Sequence, residues 1–109
     1  MNTSSFVDDL LGALADIGIE QVMVRTEGPV VNGRAPLREG VFLAFYYNQS
    51  TGTQAFAAIE GTERIWGIDC DNVRGWHLHP EGDPSQHVAL EPQSVPGIIR
   101  QLGQALAKK

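Results

Sequence analysis

A single cysteine, Cys70, is all that the 109-residue chain contains, so an intramolecular disulfide is excluded and nothing points to an oxidising compartment. No apolar run approaches the roughly 20 residues that a membrane-spanning helix needs. The N-terminus also lacks the basic-then-apolar layout of a signal peptide. These absences make a cytoplasmic protein without membrane contact the expectation. Basic residues are scarce as well: 8 Lys and Arg stand against 13 Asp and Glu, a formal charge of −5. That balance argues against a binder of duplex DNA that neutralises many phosphates, while leaving room for a small, locally basic RNA site. Internal periods of roughly 20 to 50 residues and low-complexity segments are missing too, which removes solenoids and linkers. What remains, with 42% hydrophobic residues, is enough apolar material for a core, and one domain over 1–109 is expected.

Ser4 or Ser5 can cap a first helix in which Phe6, Leu10, Leu14 and Ile17 recur at three- and four-residue steps, and Gly18 ends it. The run 19–25 is rich in β-formers and predicts a strand before the Gly28-Pro29 turn, with 32–36 continuing that loop. Residues 41–47 are apolar on both alternating faces, as expected of a central strand covered on both sides. A turn cluster over 48–52 leads to a strand over 53–59, and 60–62 turns into another over 63–69. Val88, Ala89 and Leu90 read as a short edge strand. Pro92 separates it from a last helix that begins near Ser94 to Pro96 and carries Ile98, Ile99, Leu102 and Leu106 on one stripe, with Lys108 and Lys109 at its end. The expected class is α+β: an antiparallel meander of four to five strands with N- and C-terminal helices packed on it.

All three histidines, His77, His79 and His87, fall within 71–87. If Trp76 to His79 is extended, His77 and His79 point to the same side, because side chains alternate along a strand. Pro80, Gly82 and Pro84 would turn the following loop and bring His87 back toward the pair. Two chemistries suit these residues. One is RNA cleavage by the neighbouring 2′-hydroxyl, with His77 or His79 as general base, His87 as general acid and Arg74 holding the phosphate; no cofactor is needed. The other is a zinc ion on His77, His79 and His87, completed by Glu81, Asp83 or water. Residue type alone also gives plainer readings. Trp76 suits a core position at least as well as a base-stacking one. Asp69 and Asp71, flanking Cys70, read as a solvated turn pair, Arg64 and Arg74 as surface charges, Tyr46 and Tyr47 as core. Nothing marks Cys70 as a nucleophile.

The stretch Arg64-Ile-Trp-Gly-Ile-Asp-Cys-Asp-Asn72, followed by His-Pro, Gly-x-Pro and His87 and by Glu-Pro-x-Ser before the last helix, resembles the small TumE-type toxins of prokaryotic toxin–antitoxin pairs. The similarity covers 38–107. It implies an antiparallel hairpin core, a strand ending in Asp-Asn, and a histidine- and proline-rich loop ahead of a C-terminal helix. It further implies a ribonuclease-like growth inhibitor that a helix-turn-helix antitoxin neutralises. Attention falls on Asp71, Asn72, His77, His79 and His87, without a catalytic role for any of them. Cys70 stands where those toxins tend to carry an aromatic residue. The resulting expectation is an RNA-cleaving, toxin-like enzyme with His77, His79, His87 and Arg74 catalytic and Asp71, Asn72 and Trp76 binding substrate. The alternatives are a non-catalytic metal- or partner-binding module and a homodimer built through the exposed face of the meander.

Overall fold

Asn2 caps the first helix, α1 (Thr3–Asp16): its side chain accepts the Ser5 amide hydrogen at 2.8 Å, and Ser5 Oγ accepts from the Asn2 amide at 3.0 Å. This capping box starts the helix slightly ahead of the expected serines. In this computed structural model the described residues are 1–79 and 88–107, so readings placed on 80–87, His87 among them, and on Lys108 and Lys109 lie outside them. After α1 come β1 (Met23–Glu27), β2 (Val30–Arg38), β3 (Val41–Asn48), β4 (Gln54–Glu60), β5 (Glu63–Asp71), β6 (Gly75–His79), β7 (Val88–Ala89) and α2 (Val95–Ala107). The strands form one antiparallel sheet in sequence order. The class is α+β, and among the described residues no helix is long and apolar enough to cross a membrane.

Among the described residues the meander has seven strands, not four to five. The main correction is β2, whose residues Asn32, Gly33 and Pro36 read as a loop by composition. Val31 and Ala35, four residues apart, are both fully buried, and this period-two burial outweighs local turn propensity. Gly33 is required by contact rather than by a turn: a Cβ there would overlap the Met23 carbonyl and the Phe45 ring. The first strand also lies later than expected. Glu27 pairs with Val30 across the Gly28-Pro29 turn, where Gly28 has φ 58°; that two-residue hairpin sets the register and draws the strand toward it. The third difference concerns β3. Val41, Leu43, Phe45 and Tyr47 are buried, whereas Phe42, Ala44 and Tyr46 are only half-buried.

That asymmetry arises because both helices pack on one side. The Phe6 ring of α1 stacks on Tyr47 at 4.7 Å between centroids and lies 5.9 Å from Phe56, and α1 also packs against α2. In α2, Ser94 Oγ accepts the Gly97 amide hydrogen at 3.1 Å, which bears out the expected start, and Ile98, Ile99 and Leu102 are buried. The register row Phe45–Phe56–Ile68–Leu78 runs across the sheet beneath the helices. The two neighbouring rows, Tyr46–Ala55–Asp69–His77–Ala89 and Ala44–Ala57–Gly67–His79, therefore face the other way. The histidines thus sit on the face turned away from α1 and α2.

Candidate functional site

The site is positioned by the β5–β6 hairpin. Asp71 pairs with Gly75 across the turn Asn72-Val73-Arg74, and Gly75 takes φ 69°, the left-handed region that a three-residue hairpin loop asks of glycine. Asp71 Oδ1 accepts from the Val73 amide at 2.9 Å and the Arg74 amide at 2.7 Å. Its Oδ2 lies 3.4 Å from Arg74 Nη2. Asp71 is therefore committed to closing the turn, and Asn72 is exposed on it. The backbone bonds from Arg74 and Val73 hold the Asp71 carboxyl below the usual carboxylate range. A carboxyl lowered by folding stabilises the protein above its unfolded pKa and loses that contribution as pH falls through the folded value. The stability gap between wild type and Asp71→Ala, read by denaturant melts, is accordingly expected to be widest at neutral pH and to close on acidification below the carboxylate range.

The same register places Asp69 opposite His77 and Gly67 opposite His79. His77 Nε2 forms an ion pair with Asp69 Oδ1, and His79 Nε2 lies 3.2 Å from Asp69 Oδ2. One carboxylate thus engages both rings, which meet edge to face with centroids 5.1 Å apart. His77 Nδ1 is 3.4 Å from the Gly75 carbonyl, and His79 Nδ1 is 3.2 Å from Arg64 Nη2. Both histidines are buried, 5% and 2% exposed, although among the described residues no helix covers this face. Burying ring N–H groups without acceptors costs roughly 1–3 kcal/mol each, so Asp69 is what makes this burial tolerable. The expected same-side pairing of His77 and His79 is present.

Two kinds of chemistry are open to such a group. Ligand atoms of Asp69, His77 and His79 all lie within 4.8 Å of one another, and two imidazoles with a carboxylate suit zinc or iron. This donor set adds Asp69 to two of the three histidines expected from the sequence; the third, His87, lies outside the described residues. Alternatively, an imidazole whose Nε2 is held by a carboxylate is oriented for proton transfer through its other nitrogen. A cavity of about 300 Å³ lined by Arg74, Trp76, His77 and Ala89 opens beside β6, so Arg74 and Trp76 reach the same space as His77. Trp76 also packs half-buried against the core, which makes it part structural.

Cys70 is not part of this chemistry. Burial pushes its thiol up, and the negative charges of Asp71 and Asp69 push it further. The thiol then stays protonated at neutral pH, so alkylation of Cys70 by iodoacetamide, followed by mass spectrometry, is expected to run well behind that of free cysteine and to accelerate only in alkaline buffer.

Asp69 and Arg64 are the residues that inspection by type passes over. The signal for Asp69 was the turn: a three-residue loop over 72–74 pairs residues whose numbers sum to a constant, and that count sets 69 against 77. No comparable signal exists for Arg64, which depends on a bulge. No protein-family model, curated protein or solved structure matches the chain.

Proposed function

We propose that the Asp69–His77 pair is a proton-transfer centre that cleaves RNA, in a toxin-like protein neutralised by a helix-turn-helix partner. The observation that carries this reading is one carboxylate clamped to the Nε2 atoms of two buried histidines, one of which lines a cavity with Arg74. In the reaction, His77 removes the proton of the 2′-hydroxyl through Nδ1, which gives up its long 3.4 Å contact with the Gly75 carbonyl to meet the substrate. The 2′-oxygen then bonds to phosphorus, the bond to the 5′-oxygen breaks, and a second group returns a proton to that leaving oxygen. Asp69 orients His77 and stabilises its charged form, as the carboxylate does in other acid–base pairs. Arg74 meets the phosphate, and His87 keeps its place in the scheme as the acid. His79 moves from candidate base to support, because His77 and not His79 lines the cavity beside β6.

The charge distribution supports an anionic substrate despite the net −5. By register Arg25 and Arg34 fall on the face turned away from α1 and α2 and are exposed, with Glu27 at its edge. Phe42 and Tyr46 lie half-buried on that face, and the Arg34 guanidinium sits 4.8 Å from the Phe42 ring centroid. Basic and aromatic side chains side by side suit a single strand, whose phosphates and bases need both. The test is cleavage of a single-stranded RNA by the purified protein and by His77→Ala, with growth inhibition on expression as the cellular readout.

A metal centre is the second reading, favoured by the spacing of the three donors. Against it stands the Arg64 guanidinium on His79, a fixed positive charge that repels a dication at short range. Elemental analysis separates the two: stoichiometric zinc that depends on Asp69 supports the metal centre.

A further inference from the structure

We propose that Arg64 is the positioning residue of this site: by donating to His79 Nδ1 it keeps that nitrogen unprotonated, places the ring proton on Nε2, and so holds the Asp69 carboxylate in place for His77. The effect on catalysis rests on the acid–base reading above; the proton placement does not.

A guanidinium has five N–H donors and no acceptor, so His79 Nδ1, 3.2 Å from Arg64 Nη2, must accept. A neutral imidazole that accepts at Nδ1 carries its proton on Nε2. That atom points at Asp69 Oδ2 from 3.2 Å. Asp69 then receives a proton donor on Oδ2 and presents Oδ1 to His77 Nε2. An Nε2 that carries a hydrogen has no lone pair for a metal, so the same arginine withholds His79 from cation binding.

Three features of β5 put Arg64 there. The first is a β-bulge. Ala58 pairs with Trp66, but the next residue, Ile59, pairs with Arg64, so Ile65 is an extra residue in β5. Without it Arg64 would share the face of Trp66, which lies beneath the helices; with it Arg64 joins Gly67 and Asp69. The second is Gly67. A Cβ there would come within 3.3 Å of Arg64 Cδ and 3.0 Å of the Phe56 carbonyl, so the absence of a side chain leaves a lane along which the arginine crosses the strand. The third is register, since Gly67 lies directly opposite His79 and the lane ends at its ring. Bulge, glycine and histidine together aim one side chain at one nitrogen.

Long-range proton–nitrogen NMR of the histidine side chains, on metal-free protein at one near-neutral pH, tests this. Wild type is expected to show His79 with Nε2 protonated and Nδ1 accepting. Arg64→Met is expected to lose the accepting signature and to gain a population protonated at Nδ1, while Arg64→Lys, which keeps a donor, restores the wild-type pattern. In RNA cleavage Arg64→Met should lower kcat roughly tenfold, within the range for lost orienting partners, with KM changed far less. A wild-type His79 protonated at Nδ1, or an Arg64→Met spectrum identical to wild type, overturns the proposal. Should Arg64→Met fail to fold, the wild-type and Arg64→Lys spectra still decide it. The expected spectra without RNA cleavage in any variant would leave the positioning role standing and remove the ribonuclease reading instead.

Discussion

His77→Ala is expected to lower RNA cleavage by about 10²–10⁴-fold, the range that a positioned general base contributes. The size follows from geometry. His77 is the histidine that lines the cavity with Arg74 and Trp76 while its Nε2 is paired with Asp69. No other described side chain combines a titratable ring with that exposure to the cavity. His79→Ala should fall well short of this loss, because His79 acts through Asp69. The variant retains its fold on this account: Asp69 side chain is 27% exposed, so water can replace the lost ring N–H as a donor. Far-ultraviolet circular dichroism together with initial cleavage rates measures both halves. An equal loss in His77→Ala and His79→Ala would mean that the two rings work as one group, as two metal ligands do.

Asp69→Leu should be the most destabilising single change at the site. It leaves two buried imidazole N–H groups without their acceptor, and truncating one member of a buried charged cluster costs more than the cluster's net worth. Partial exposure of the carboxylate lowers the figure, so about 2–4 kcal/mol is expected from urea melts. Asp69→Asn keeps one acceptor oxygen and should lose less stability than Asp69→Leu, yet it should lose activity as His77→Ala does. Residues that act as a unit are not additive. The double variant Asp69→Asn with His77→Ala is therefore expected to cleave RNA no more slowly than His77→Ala alone, whereas independent roles would multiply the two losses.

Much of this architecture could be read from residue order. The 3.6-residue spacing of Phe6, Leu10 and Leu14, the turn residues around Gly52 and Gly61, and Ser94 before Ile98 and Ile99 led to α1, β4, β5 and α2 close to where they stand. The pairing of His77 with His79 on one side followed from alternation alone. What local pattern could not show was set by partners distant in the chain. Val31 and Ala35 make β2 a strand because they are buried in the core, and Gly33 is there because Phe45 and Met23 approach it. β3 carries apolar residues on both faces, yet its second face is only half-buried, because helix placement depends on the whole sheet. At the site, Asp69 reads as a solvated acid until the hairpin register is counted. Arg64 reads as a surface charge because one bulged residue, Ile65, decides which side of the sheet it meets.

The central claim is that Asp69, His77 and His79 form a proton-transfer group and not a metal centre. Its most direct test is RNA cleavage by protein stripped with a strong chelator and verified metal-free by elemental analysis, beside His77→Ala treated in the same way. The account predicts undiminished cleavage by the stripped wild type and its loss in the variant. Cleavage that disappears on stripping and returns with stoichiometric zinc would contradict it.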